Sequence, residues 1–339
     1  MNPGGLRRSN IFVISTYAVG LCALAGCSNN VSTPQSAAPA APTSQGPTDQ
    51  TSSAPQSGQE QFASPEEAAG VLKDAAATKN RRQLVAIFGP EGKQLIFSGD
   101  RVQEDNELRE FAGHVSEYLH VDHPSAEKAV LYVGKENWPF PIPLVKTADQ
   151  WHFDTDAGKE EILNRRIGEN ELNAIAVCRA YAAAQKEYAR MDRTGEHVTQ
   201  YAQHFMSTPG KKDGLYWPAA EGEELSPMGP LVAQARAEGY EADPEHKTHQ
   251  PYQGYFFHII KAQGDAAPGG KMDYLVDGHL TKGFALIAYP DRWGSSGVMS
   301  FIVNQDGKVC QKNLGENTMQ TAKAVTEYNP DNTWEAVKD

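Results

Sequence analysis

Histidines and acids at short spacing are the first candidates for chemistry in this chain. His120-Val121-Asp122-His123 could hold a metal ion or act as an acid and base. No third ligand stands at metal-site spacing and Pro124 follows directly, so a solvated loop is expected. Asp154-Thr155-Asp156-Ala157-Gly158 begins like a calcium loop. Its glycine comes one position early and Arg165 stands where the bidentate Glu belongs, so a turn and helix cap is expected. The stretch from Gly264 to Lys271 approaches a phosphate loop with one residue too many, and Met272 replaces the hydroxyl that would meet magnesium. It reads as a turn between strands. Gly294-Ser295-Ser296-Gly297 lacks the spacing of a nucleophile elbow and suits a hairpin loop. His246 and His249 lie in a polar stretch and read as solvated. His204, His258 and His279 would make a metal site only if the fold gathers them. Trp138 and Phe140 could stack on a ligand or plug their own core. These patterns assign no catalytic residue, no cofactor and no metal ligand.

A different chemistry rests on a thiol. Arg7 and Arg8 precede an apolar run over residues 11–25, and Leu24-Ala25-Gly26-Cys27 closes it. The run is short of the roughly 20 residues of a membrane span and has the zones of a cleavable signal. The closing motif resembles the lipobox of bacterial lipoproteins. That resemblance implies a signal peptide over residues 1–26, diacylglycerol on the Cys27 thiol, and acylation of the new N-terminus. Each buried methylene contributes about 0.8 kcal/mol, so several acyl chains make a durable membrane anchor. The alternative is a plain secreted protein in which Cys27 is incidental. Ser28 is not Asp, which by analogy with enteric bacteria favours the outer membrane, facing the periplasm. Of the four cysteines, Cys22 leaves with the signal, so Cys178 and Cys310 remain for the folded body. An exported compartment permits a disulfide between them; two buried free thiols are the alternative.

Residues 27–60 follow as a tether of Ser, Thr, Ala, Pro, Gln and Gly. They hold too little apolar bulk to offset the entropy of ordering. As a soft coil they would span roughly 30 Å on average. The net charge of −12 argues against general nucleic-acid binding, which needs a basic stripe.

What remains is enough for two modules. In the first, residues 61–165, Ser64-Pro65-Glu66-Glu67 opens a helix with a capping box. A second helix carries Leu84, Ile87 and Phe88 and stops at Gly89-Pro90. A third is expected over 106–119. Strands follow over 129–133 and 151–154. Between them, 138–145 is extended, with Pro139, Pro141 and Pro143 removing alternate donors. Helices before antiparallel strands give an α+β cone, similar to the nuclear-transport-factor-two-like fold, whose cones hold a pocket. His114, His120 or Asp154 would stand inside such a pocket if it were a site; Trp138, Phe140 and Trp151 would fill it if it were not. The second module, residues 166–339, is entered by a long helix over 157–190 with one apolar side. A short helix is expected near 231–237. Strands are expected over 254–261, 283–289, 298–303 and 308–311, with Asp306-Gly307 as a hairpin turn.

Two resemblances sharpen this. Asn170-Glu171-Leu172-Asn173-Ala174, Ala183-Ala184-Gln185, Gly214-Leu215-Tyr216, Gly254-Tyr255-Phe256-Phe257, Ala288-Tyr289-Pro290 and Asp306-Gly307 occur in the order seen in a type IV pilin or pseudopilin head. The second module resembles that head, which implies a helix laid over an antiparallel β meander. The apolar helix half that builds a pilin filament is replaced by Asn164-Arg165-Arg166-Ile167-Gly168-Glu169, so polymerisation is not expected. The second resemblance rests on Asn137-Trp138-Pro139-Phe140-Pro141-Ile142-Pro143-Leu144, Arg165-Arg166-Ile167-Gly168, Gln250-Pro251-Tyr252-Gln253-Gly254-Tyr255 and Gly297-Val298-Met299-Ser300-Phe301. With these the chain resembles the bacterial domain-of-unknown-function family twenty-nine-fifty, which brings no activity with it. The expectation is therefore a non-catalytic, lipid-anchored envelope protein that binds or assembles with an envelope partner. The alternatives are a small-ligand binder or hydrolase using the cone pocket, and an accessory subunit of a pilus-like or secretion machine.

Overall fold

The computed structural model describes residues 53–241 and 250–338. The signal, Cys27, the tether up to residue 52, and His246 with His249 lie outside the described residues.

The chain enters on a strap rather than a free tether. The Ser53 amide donates to Asp154 at 3.3 Å, and His152 Nε2 meets the Ser53 carbonyl at 3.0 Å. Gln59 is buried and its amide donates to the carbonyls of Ile87 at 3.0 Å and Phe153 at 2.7 Å. Residues 53–60 therefore belong to the folded body. Composition counts apolar burial and misses this, because the strap is held by polar groups that satisfy a helix end and a sheet edge.

Helix α1 (Pro65–Ala77) starts as its capping box demands. Ser64 Oγ accepts the Glu67 amide at 3.1 Å, while the Glu67 carboxylate reaches back to the Ala63 amide at 2.8 Å. Helix α2 (Arg81–Phe88) is capped by Asn80 and ends at Gly89. A 3-10 turn (Pro90–Gly92) leads into α3 (Lys93–Ile96). Helix α4 (Arg101–Glu117) starts five residues before the expected 106, because Asp100 accepts the amides of Val102 and Gln103.

Strands β1 (Leu119–Ser125), β2 (Lys128–Val133), β3 (Trp138–Pro139), β4 (Leu144–Thr147) and β5 (Gln150–Phe153) form an antiparallel sheet ordered β1-β2-β4-β5, with β3 on β2. His120, Asp122 and His123 are thus on an edge strand, not in a loop, and are exposed. The expected single extended segment breaks between Pro139 and Leu144, where Phe140 and Ile142 turn inward and Pro141 and Pro143 cannot donate to a ladder.

Helix α5 (Thr155–Tyr188) runs 34 residues and serves two cores. Its Ile162 and Leu163 join the core of α1, α2, α4 and the first sheet, together with Trp138, Phe140 and Trp151. Its Ala174, Cys178, Tyr181 and Tyr188 join a second core. After α6 (Gly229–Ala237) come β6 (Tyr255–Ile260), the short pair β7 (Ala262–Gln263) and β8 (Met272–Asp273), and the hairpin β9 (Leu275–Val276) with β10 (His279–Leu280). Then follow β11 (Ala285–Pro290), β12 (Met299–Asn304), β13 (Cys310–Asn313), α7 (Thr318–Lys323) and β14 (Glu335–Ala336). The second sheet is an antiparallel meander ordered β14-β13-β12-β11-β6. All six residues of β11 are buried beneath its neighbours, which explains its unbroken apolar run.

Cys178 and Cys310 are free and buried. Of the two alternatives for this pair the structure has free thiols: α5 packs over β11 and β12, whereas Cys310 lies on β13, one strand further out. Strands are about 4.8 Å apart, and a disulfide tolerates little more separation between its α-carbons than about 7 Å.

The two cores meet through buried polar groups. Asp100 is fully buried and accepts four hydrogen bonds: two from its own helix, one from the Tyr240 hydroxyl at 2.7 Å and one from the Gly254 amide at 3.0 Å. Asn170 accepts from Gln103 at 2.6 Å and donates to the Ser296 carbonyl at 2.9 Å. Glu171 accepts the amides of Val298 and Met299. Gly254 has φ +75° and a side chain there would strike Asn170. Strings that carry the family resemblance thus converge here: Gly254 and Tyr255 from one, Gly297 to Met299 from another.

Candidate functional site

Two concavities deserve comparison. The first lies inside the N-terminal core and is lined by Leu84, Phe88, Phe111, Phe140 and Ile162, with Arg81, Glu104, Glu107 and Arg166 on one wall. Arg166 is 2% exposed, donates to the carbonyls of Gln94 and Leu95, and pairs with Glu107 at 2.9 Å. Burial pushes the Glu107 carboxyl up despite this pairing. The cavity volume is about 80 Å³. At about 10–15 Å³ per enclosed water that is room for a handful of waters, far below the roughly 300 Å³ where ligand pockets begin. Phe140 lines it, but His114, His120 and Asp154 do not. Asp154 instead holds the strap.

The second concavity is a polar cleft of about 760 Å³ at the C-terminal end of α5. Its walls come from four segments, three within residues 188–213 and one at 277–279: Tyr188, Arg193, Thr194 and Glu196; Gln200, Tyr201, Gln203 and His204; Gly210 to Asp213; and Asp277 to His279. Each segment is fixed by a local device. Gln185, fully buried on α5, clamps Ala202 through both backbone groups, accepting its amide and donating to its carbonyl at 2.8 Å each. Asp192 collects the amides of Thr194, Gly195 and His197. Desolvation would raise its carboxyl, but these amides hold it below the usual range. Asp213 closes a second loop on the Thr208 amide and hydroxyl at 2.7 and 2.8 Å. Desolvation again opposes those bonds and the nearby His204, and the net effect lowers its carboxyl. Asp277 and Gly278 both have positive φ and make the two-residue turn between β9 and β10, which sets His279 on the rim.

Arg193 ties the helix end to the cleft floor. Its guanidinium donates to the carbonyls of Glu187 and Tyr188, pairs with Glu224 at 3.0 Å, and lies over the rings of Tyr188 and Trp217. Lys212 pairs with the same Glu224 at 2.9 Å and also lies over Trp217. Burial pushes the Tyr188 hydroxyl up to about 12, and it donates to the Lys212 carbonyl at 2.7 Å.

The structure brings His204 and His279 to one cleft and leaves His258 outside it. His279 faces Glu196 at 3.7 Å. Among the described residues no three His, Cys, Asp or Glu gather as a metal site. Ser295 and Ser296 lie in the β11–β12 loop, where the Ser296 hydroxyl accepts the Arg292 amide and donates to its carbonyl. Gln185 stood in the sequence only within a resemblance string, and Asp192, Arg193 and Asp213 were not singled out there. The Asp-Gly pair at 277–278 between apolar residues was the one available signal.

These features define an α+β protein with one long helix shared by two cores and a polar cleft at its end. The chain belongs to the family described as Protein of unknown function (DUF2950), which matches residues 59–337. That match begins at Gln59, the residue that pins the strap. No curated protein and no solved structure matches the chain. Among the described residues no helix is long and apolar enough to cross a membrane.

Proposed function

We propose that this protein is an exported, lipid-anchored binding protein of the cell envelope, held through Cys27 at the outer membrane facing the periplasm, and that the cleft at the end of α5 is its ligand site. The observation that carries the reading is the cleft itself. Its volume of about 760 Å³ falls within the ligand-site range, and its four wall segments are each pinned before any ligand arrives. Its lining offers hydrogen-bonding groups and no cysteine or serine nucleophile, and the one threonine, Thr194, gives its hydroxyl to Asp192. A binding role suits this better than hydrolysis through a serine or cysteine nucleophile. The first module's small cavity is read as a solvated pocket around Arg166 and Glu107. The two cores support a division into a cone-like module over 61–165 and a pilin-head-like module over 166–339, with α5 common to both.

The test is photo-crosslinking in living cells with a photoreactive residue replacing Lys211, an exposed residue of the cleft. An adduct at Lys211 that is missing when the same group replaces Lys146 on β4 supports the reading. Absence of any adduct at Lys211 sinks it.

A further inference from the structure

We infer that the cleft takes a neutral, polyhydroxylated ligand, an oligosaccharide; this rests on the binding role proposed above and adds the ligand's chemical class. The lining holds three cations, Arg193, Lys211 and Lys212, and three carboxylates, Glu196, Asp213 and Asp277. Two of the cations pair with Glu224, so with it the count is three cations to four carboxylates and neither sign dominates. A strongly anionic or cationic ligand would meet like charges as often as opposite ones. At about 4 kcal/mol for a 4 Å pair near a protein surface, attraction and repulsion there offset each other.

A sugar hydroxyl both donates and accepts, so its site needs both kinds of group in one wall. The carboxylates of Glu196, Asp213 and Asp277 accept. Lys211 donates, Gln203 keeps one amide N–H beyond the one it gives the Gly278 carbonyl, and His279 offers a ring nitrogen. The cleft also presents the ring of Tyr201. Tyr201 is held edge-on to Phe284 with centroids 4.8 Å apart, so its ring is a fixed amphipathic surface for the C–H face of a pyranose. The clamp of Gln185 on Ala202 and the Asp192 and Asp213 loops order the wall in advance, which lowers the entropic cost of binding a ligand with weak individual contacts. An amino-sugar cell-wall glycan and a soluble glucan share this chemistry.

Calorimetric titration of the full chain distinguishes the cases, with N,N′-diacetylchitobiose and maltotriose as neutral probes, and inorganic phosphate and spermidine as charged ones. At least one sugar should saturate. Its affinity should weaken about fivefold to tenfold in each of Lys211→Ala and Asp277→Asn, as for the loss of one hydrogen bond. Both positions are exposed, and Asn tolerates the positive φ of Asp277, so the fold is retained. Preference for chitobiose indicates a cell-wall source, and preference for maltotriose a glucan. Saturation by phosphate or spermidine that is lost in the same variants overturns the ligand class while leaving the cleft a binding site. A sugar bound equally well by both variants overturns the inference by placing the site elsewhere. No saturation with any probe overturns the ligand class if the Lys211 crosslink still forms in cells, and overturns the binding role as well if it does not.

Discussion

Replacing Asp100 tests how the two cores are joined. Its carboxylate accepts the amides of Val102, Gln103 and Gly254 and the hydroxyl of Tyr240, all in a fully buried position. Asp100→Ala leaves four donors without an acceptor. A lost buried hydrogen bond costs about 1 kcal/mol net and more where the partner stays unsatisfied, so about 4–6 kcal/mol is at stake. Burial raises the Asp100 carboxyl despite its four bonds, which means that holding the charge there is itself costly. The expected loss is therefore about 3–4 kcal/mol. Asp100→Asn keeps one acceptor oxygen for the helix cap, and Tyr240 can turn to accept from its amide. The Gly254 amide and the Tyr240 hydroxyl proton are then stranded, at about 2 kcal/mol together. Urea unfolding followed by tryptophan fluorescence measures both, since Trp138 and Trp151 report the first core and Trp217 the second. The alanine variant should lose the larger amount and separate the two cores' transitions. A loss below about 1 kcal/mol with one unchanged transition, or equal losses in both variants, would refute the role given to Asp100.

Two further perturbations probe the joint and the strap. Glu169 is pushed up to about 7 by burial and then by Glu107, Glu110 and Glu238. For an acid raised above its unfolded value near 4.5, stability is full below pH 4.5 and is lost as pH rises through 7. The unscreened penalty is about 3 kcal/mol, and partial exposure reduces it to about half. Glu169→Gln should equal the parent at pH 4 and exceed it by about 1–2 kcal/mol at pH 8; a difference that does not change with pH contradicts this. Gln59→Ala removes the donor to Ile87 and Phe153 and should cost about 1–2 kcal/mol, with fast hydrogen exchange confined to residues 53–60. Unchanged protection there means the strap is not held by Gln59.

Much of the fold was legible because local signals agreed with the global pattern. Ser64-Pro65-Glu66-Glu67 fixed the start of α1, Gly89-Pro90 the end of α2, and Asp306-Gly307 the turn into β13. The apolar side of α5 announced a long helix running from one module into the next, and its two ends do serve different cores. The start of α4 was missed because Asp100 looks like any loop acid until its four donors are seen. The strap was missed because hydrogen bonds from Gln59 leave no hydrophobic trace. Cys178 and Cys310 were within reach of a guess that helix and meander pack together, and the strand order then separated them. The cleft was the least legible part. His204 and His279 are 75 residues apart in sequence, and what brings them to one wall is a buried glutamine on α5 and a two-residue turn between β9 and β10. Such long-range polar clamps carry no periodicity.

The proposed location and anchoring depend on where the processed chain begins and what is attached there. Intact and N-terminal peptide mass spectrometry of protein extracted from membranes measures it directly. The expected chain begins at Cys27 and carries a diacylglycerol thioether and an amide-linked acyl group, both absent in Cys27→Ala. A mature chain that begins at any other residue, or at Cys27 without fatty-acid mass, would contradict it.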